Sequence, residues 1–222
     1  MARIVFDLDG TLIDSAPDIH GVANTVLADE GLAPLTMTQT QDFIGDGTAV
    51  FVQRMRAARD MPDSDQDRLL AAFMARYDGA VALTQVYPGV VAALTALRDA
   101  GHSLGICTNK PLAPTRRVLD HFDLTPFFAT VWGGDSLPVH KPDPSPLHAA
   151  FTALPDGPRL YVGDSDVDAE TAVRAQVPFL LFTEGYRKST IDALPHRTAF
   201  SSFDALPGIV ADCLSGTDTT GA

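Results

Sequence analysis

Two aspartates, Asp7 and Asp9, stand one residue apart at the end of the apolar run Ile4-Val5-Phe6, just before Gly10-Thr11. Carboxylates placed where a buried strand gives out suit metal binding or acid–base chemistry; a strand-end turn with two solvated aspartates is the plainer alternative. Other groups share this placement. Thr108 and Asn109 follow the run 103–107, and Asp164, Ser165 and Asp168 follow Leu160-Tyr161-Val162-Gly163. Lys141 lies in the loop Val139-His140-Lys141-Pro142-Asp143-Pro144, beyond Ala129-Thr130-Val131-Trp132. Brought together, Asp7, Asp9 and Asp164 concentrate negative charge that a cation must offset. A few hard oxygen ligands suit Mg2+, which keeps waters and binds phosphate beside one or two carboxylates. Thr108 and Lys141 supply a hydroxyl donor and a fixed positive charge, which a phosphoryl group needs as charge spreads over its oxygens.

Periodicity shows the elements that must position these groups. Strand patterns at 4–6, 103–107, 129–132, 160–163 and 179–182 alternate with amphipathic helices, the last carrying Phe203, Leu206, Ile209, Val210 and Leu214. Alternation of this kind implies right-handed crossovers and a mostly parallel sheet, whose strand ends share one edge. Residues 15–84 differ. A helix starting at Ser15, with Ser15 as cap, Pro17 in the first turn and Asp18 completing a capping-box-like pattern, runs to Gly31. A second spans about 48–59 behind the loop Gly45-Asp46-Gly47, and a third from Ser64 puts Leu69, Leu70, Phe73, Met74 and Tyr77 on one face. No strand pattern interrupts them. The expected fold is α/β: a Rossmann-like parallel sheet core over 1–14 and 85–215, an all-helical insertion over 15–84 and a flexible tail over 216–222.

Composition narrows the partners. The 222 residues are 45% apolar with a formal charge of -12, from 28 acidic against 16 basic groups. That balance argues against nucleic acid and against an anionic membrane, but not against a small phosphorylated metabolite met by local cations. No apolar run approaches membrane-spanning length and no signal-peptide pattern opens the chain, so a cytoplasmic location is expected. Cys107 and Cys213, far apart and in apolar contexts, read as buried thiols.

The set Asp7-Leu8-Asp9-Gly10-Thr11, Thr108, Lys141 and Gly163-Asp164-Ser165-Asp166-Val167-Asp168 resembles the motifs of the haloacid dehalogenase superfamily, in that order. Within it the chain is most similar to the phosphoglycolate phosphatases, through residues 6–15, Tyr87-Pro88-Gly89-Val90, Thr108-Asn109-Lys110-Pro111, Phe43-Ile44-Gly45-Asp46-Gly47 and Gly185-Tyr186. Gln176-Val177-Pro178 departs from the pattern, where a glycine is usual before the strand. The resemblance implies that the helical insertion is a cap. It implies Asp7 as nucleophile and Asp9 as acid and base, with Asp7, Asp164 and the Asp9 backbone carbonyl on Mg2+ and Ser165 and Asp168 behind them. Thr108, Asn109 and Lys141 would bind phosphoryl oxygens.

Blander readings stand beside these. Lys141 could belong to a plain surface loop, and Asp168 could serve a helix N-terminus. Gly45-Asp46-Gly47 is either a turn or a specificity loop. Arg54 either binds a substrate carboxylate or is solvated. The function expected is Mg2+-dependent hydrolysis of 2-phosphoglycolate through an aspartyl-phosphate. The alternatives are another small substrate (a sugar phosphate, nucleotide or pyrophosphate), β-phosphoglucomutase, or a receiver-type phospho-aspartate signalling domain.

Overall fold

Side-chain alternation in β1 (Arg3–Phe6) decides the layering, because Ile4 and Phe6 face one side of the sheet and Val5 the other. The structure is a computed structural model that describes residues 1–216. Apart from Gly216, the tail expected over 216–222 therefore lies outside the described residues.

β1 sits between β4 (Ser103–Cys107) and β6 (Arg159–Gly163), with Phe6 paired to Ile106 on one side and Val162 on the other. β5 (Thr130–Trp132) extends one edge, and β7 (Phe179–Phe182) and β8 (Thr198–Phe200) extend the other, giving the all-parallel order β5-β4-β1-β6-β7-β8. Helices cover both faces. On the Phe6 side, α5 (Val90–Asp99), α6 (Leu112–His121) and α9 (Leu206–Ser215) contribute Leu94, Leu119 and Val210. On the Val5 side, α7 (Ser145–Thr152) and α8 (Asp166–Ala175) contribute Leu147, Phe151, Ala169 and Ala172. The expected α/β architecture is what forms. β8 is an addition: three residues, Thr-Ala-Phe, are too short to show a period.

Between β1 and α5 the chain leaves the sheet through β2 (Ile13–Asp14) and returns through β3 (Gln85–Val86), which pair antiparallel. The four helices between them are α1 (Ala16–Asp29), α2 (Met37–Phe43), α3 (Thr48–Ala57) and α4 (Gln66–Tyr77). They bury a core of their own, including Ile19, Val26, Phe51, Met55, Leu69 and Phe73. Helix α2 carries no apolar stripe, its one buried residue being Thr40; a capping box between Thr36 and Gln39 starts it.

The start of α1 corrects the sequence reading. Ser15 makes no capping bond. Its hydroxyl instead donates to Asp9 Oδ1 at 2.6 Å, and Asp14 Oδ1 accepts from Ala16 N. Asp18 completes no capping box either. Its Oδ2 accepts from Leu83 N, Thr84 N and Thr84 Oγ1, fastening the outgoing chain to the returning one. Both side chains were drawn to longer-range partners better than the local N–H groups. Cys107 and Cys213 are buried and free, as expected. Among the described residues no helix is long and apolar enough to cross a membrane.

Candidate active site

Parallel register brings the polar ends of β1, β4 and β6 together. Asp7 N donates to Val162 O at 2.9 Å and Thr108 N to Trp132 O at 3.0 Å, so each residue continues its strand by one step. Lys141 arrives from a loop that Asn109 holds in place: Asn109 Oδ1 accepts from Lys141 N at 3.0 Å, and Nδ2 donates to Lys141 O at 2.9 Å. The same Nδ2 donates to Gly45 O at 2.9 Å, which ties the helical insertion to the sheet edge. Asn109, expected to meet phosphoryl oxygens, thus has its amide engaged by backbone.

Lys141 is no surface residue. Its ammonium is 2% exposed and lies 2.8 Å from Asp7 Oδ1, 2.6 Å from Asp168 Oδ1 and 2.9 Å from Tyr161 Oη. The contact with Asp7 is an ion contact without hydrogen-bond alignment, so Asp7 Oδ1 is buried with no directed donor. Burial opposes the Lys141 charge, but Asp168 and Asp7 outweigh it and hold its pKa above the ordinary lysine value.

Asp168 does serve a helix N-terminus, and it makes a further contact that was not expected. It forms the capping box of α8 with Ser165, and it anchors Lys141. Oδ1 accepts from Lys141 and Tyr161 Oη; Oδ2 accepts from Ser165 Oγ, Ser165 N and Asp164 N. Although burial works against the anion, Lys141, Ser165 and Tyr161 hold its pKa below the carboxylate norm. No lone pair of Asp168 remains for a metal.

Asp164 has capacity left. Oδ1 accepts from Thr11 Oγ1 at 2.6 Å and Oδ2 from Tyr186 N at 2.6 Å. Backbone closes tightly around it: a Cβ at Gly185 would stand 2.2 Å from Asp164 Oδ2, and one at Gly10, where φ is +86°, 2.5 Å. The carboxylates of Asp7, Asp164 and Asp168 have oxygens within 4.8 Å of one another. Burial, Asp168 and Asp7 raise the Asp164 pKa well above normal, and burial with Asp168 pushes Asp7 up to about 7 against the pull of Lys141. Two carboxylates unfavourable as anions, one with an undirected buried oxygen, fit a hard divalent cation. Because Asp168 is saturated, Asp7 and Asp164 are the side chains suited to hold it.

Asp9 stands apart from this cluster, contrary to the expectation that Asp7, Asp9 and Asp164 pool their charge. Past Phe6 the chain turns, and the Asp9 side chain meets Ser15 Oγ and Lys110 Nζ, the latter at 3.1 Å. Lys110 is 5% exposed in its side chain and also donates to Tyr77 Oη, from α4. Burial opposes its charge too, and Asp9 and Tyr77 more than restore it. Burial raises the Tyr77 hydroxyl to about 12, so it stays protonated.

A cavity with about 50 Å³ free for water-sized occupants lies between the sheet edge and the insertion. Asp7, Asp9, Thr108, Asn109 and Lys110 line its floor, and Ile44, Gly45, Gly47, Thr48, Phe51, Phe73 and Tyr77 are among its walls. Asp46 and Arg54 are outside the lining: they pair with each other at 2.7 Å, and Arg54 also donates to Phe43 O. Sequence reasoning missed Lys110, Tyr77, Tyr161 and Tyr186 as site residues. The one available signal was Lys110 itself, a cation three residues past the end of β4.

Comparison with known proteins agrees with this geometry. Residues 4–182 match the family of haloacid dehalogenase-like hydrolases. A phosphoglycolate phosphatase of Cereibacter sphaeroides is 50% identical over 218 residues, covering 97% of this chain and 100% of its own. One from Rhodobacter capsulatus is 46% identical over 209 residues, covering 93% and 95%. Among solved structures, one described as a predicted phosphoglycolate phosphatase from Haemophilus somnus superposes with a TM-score of 0.86 at 29% identity, covering 94% of this chain and 97% of that one. With its motif residues gathered on one sheet edge and similarity running through nearly its whole length, the chain belongs to the haloacid dehalogenase-like hydrolases, as an enzyme of their phosphatase branch.

Proposed function

We propose that the enzyme hydrolyses 2-phosphoglycolate to glycolate and phosphate, with Mg2+ as cofactor and an aspartyl-phosphate on Asp7 as intermediate. The observation that carries the mechanism is the division between the two aspartates. Asp7 adjoins Lys141 and the acidic cluster, whereas Asp9 adjoins Ser15 and Lys110.

Asp7 attacks phosphorus in line and the phosphorus–ester oxygen bond breaks, while Asp9, which enters this step protonated, gives its proton to the departing glycolate oxygen. Asp9 then takes a proton from the water that attacks phosphorus, which frees phosphate and restores Asp7. Asp7, Asp164 and the Asp9 backbone carbonyl would hold Mg2+, which when bound offsets the clustered carboxylates and the phosphoryl charge. Lys141 holds Asp7 in position and faces the phosphoryl oxygens together with Thr108. Asp168 and Tyr161 fix the ammonium of Lys141, and Ser165 fixes Asp168. Residues 15–84 act as a cap that excludes water over the site, with Gly45 and Gly47 at its lip.

The substrate reading draws on the relatives and on the cavity's lining. A polar floor that includes Asp7, Asp9 and Lys110, set against walls that include Phe51 and Phe73, suits a small polar leaving group held close to the sheet edge. Phosphate release with Mg2+ from a panel of phosphoglycolate, sugar phosphates, nucleotides and pyrophosphate tests it: phosphoglycolate has the highest kcat/KM. Asp7→Asn abolishes turnover with the circular dichroism spectrum unchanged, and an Asp7→Asn enzyme hydrolysing any of these esters at the native rate would sink the mechanism.

A further inference from the structure

Lys110 has no assigned role in the reaction, yet among the described residues it is the only cationic side chain that lines the cavity. The other candidates are committed elsewhere. Lys141 is enclosed by Asp7, Asp168 and Tyr161, and Arg54, outside the lining, is neutralised by Asp46. A cation buried beside Phe73 and Tyr77 requires an anion. In the structure Asp9 supplies it, with Lys110 Nζ at 3.1 Å from Oδ1. An ammonium carries three donors, and among the described residues its side-chain partners are Asp9 and Tyr77.

We infer that Lys110 recognises the leaving group, its ammonium binding a carboxylate carried close to the ester oxygen. This rests on the phosphoglycolate reading above and assigns its specificity to one residue. Asp9 is the group that meets the ester oxygen, so an ammonium touching Asp9 lies within reach of a carboxylate two bonds farther along. Phe51 and Phe73, which also line the cavity, offer a carboxylate no donor. Asp7 and Asp9 also line the cavity, so an acidic leaving group without this cation would meet only like charge. Tyr77 comes from α4, and its hydroxyl fixes the ammonium over the cavity. Selection of the leaving group thus depends on the insertion lying against the sheet edge.

The test compares 2-phosphoglycolate with ethyl phosphate, which has a methyl group in place of the carboxylate, in wild-type and Lys110→Met enzymes. The wild type prefers phosphoglycolate. In Lys110→Met, kcat/KM for phosphoglycolate falls about 10- to 100-fold further than for ethyl phosphate, mostly through KM, as expected for losing a hydrogen bond between charged groups. Equal losses on both esters show that Lys110 serves Asp9 alone and overturn the inference, leaving the substrate reading intact. A wild type indifferent to the carboxylate overturns both. Should Lys110→Met not fold, Tyr77→Phe decides: KM rises about threefold more for phosphoglycolate than for ethyl phosphate, and equal changes on the two esters refute the assignment.

Discussion

Two buried lysine–aspartate pairs lie on either side of this site, and they are built differently. Lys141 contacts Asp7 and Asp168 with Tyr161 beside them, and all four belong to the sheet or to the segments that follow its strands. Lys110 contacts Asp9, whose other partner Ser15 precedes α1, and Tyr77 at the end of α4. The first pair is completed when the sheet closes. The second also joins two segments that follow strands, but it gains Tyr77 only when the helical insertion packs against the sheet edge. The groups proposed to hold a reacting phosphoryl thus sit in the part of the molecule that folds as one layer. The groups proposed to face the leaving group, Asp9 and Lys110, are joined there by Tyr77 of the insertion, so closing the insertion can make or undo that added contact.

The comparison is most easily broken through stability. Lys141→Met leaves Asp7 and Asp168 facing each other without a cation, and removing one partner of a buried pair costs about 3–5 kcal/mol. Lys110→Met leaves Asp9 with the Ser15 hydroxyl in a cavity that water can enter, and costs less. Urea unfolding of the two variants measures the gap. A Lys110→Met enzyme as unstable as Lys141→Met would mean that the boundary pair is as structural as the sheet-edge one.

Metal addition separates the pairs next. Asp7 has its folded pKa raised to about 7, above the ordinary carboxylate value. Its contribution to stability is therefore present at low pH and is lost as pH rises through about 7 in metal-free protein. A divalent cation binds the ionised form, so the stabilisation on adding Mg2+, read as a rise in Tm, is larger at pH 8 than at pH 5.5, and reaches ~2.7 kcal/mol where Mg2+ is at a hundredfold excess over Kd. Asp7→Asn loses most of this gain, whereas Asp9→Asn, which keeps its backbone carbonyl, retains it. Equal gains at both pH values, or loss of the gain in Asp9→Asn, contradict the division.

This division also marks what the sequence could reveal. Asp7, Thr108 and Asp164 were legible because strand alternation and parallel topology place strand ends on one edge whatever the side chains do. Lys141 became legible only in company with them. The Lys110–Asp9–Tyr77 cluster was not, since residues so distant in the chain show no periodicity in common, and Tyr77 read as one more apolar position on α4. Asp168 looked like either a helix cap or a site residue; its two oxygens let it be both. Ser15 had the local signature of a cap, but Asp9 offered its hydroxyl a charged acceptor, and charge-assisted bonds are the stronger ones. Asp46 and Arg54 looked like cavity groups and satisfy each other instead.

A small effect sharpens the contrast from the sheet side. Gln176, at the C-cap of α8, has φ 54° and ψ 47°, the left-handed conformation for which a glycine is usual. A side chain there carries a backbone penalty of about 1 kcal/mol, part of which glycine returns to a more disordered unfolded chain. Gln176→Gly therefore raises stability by a few tenths to ~1 kcal/mol, read as a shift in the urea midpoint without a change in slope. Because Ser165 caps α8 and the helix carries Asp168, the gain strengthens the layer that holds Lys141 and leaves α4 and the Lys110 pair untouched. The preference for phosphoglycolate over ethyl phosphate should stay at its wild-type value in this variant. A changed preference would show that the two pairs are coupled through the sheet edge, and that the boundary pair responds to more than the packing of the insertion.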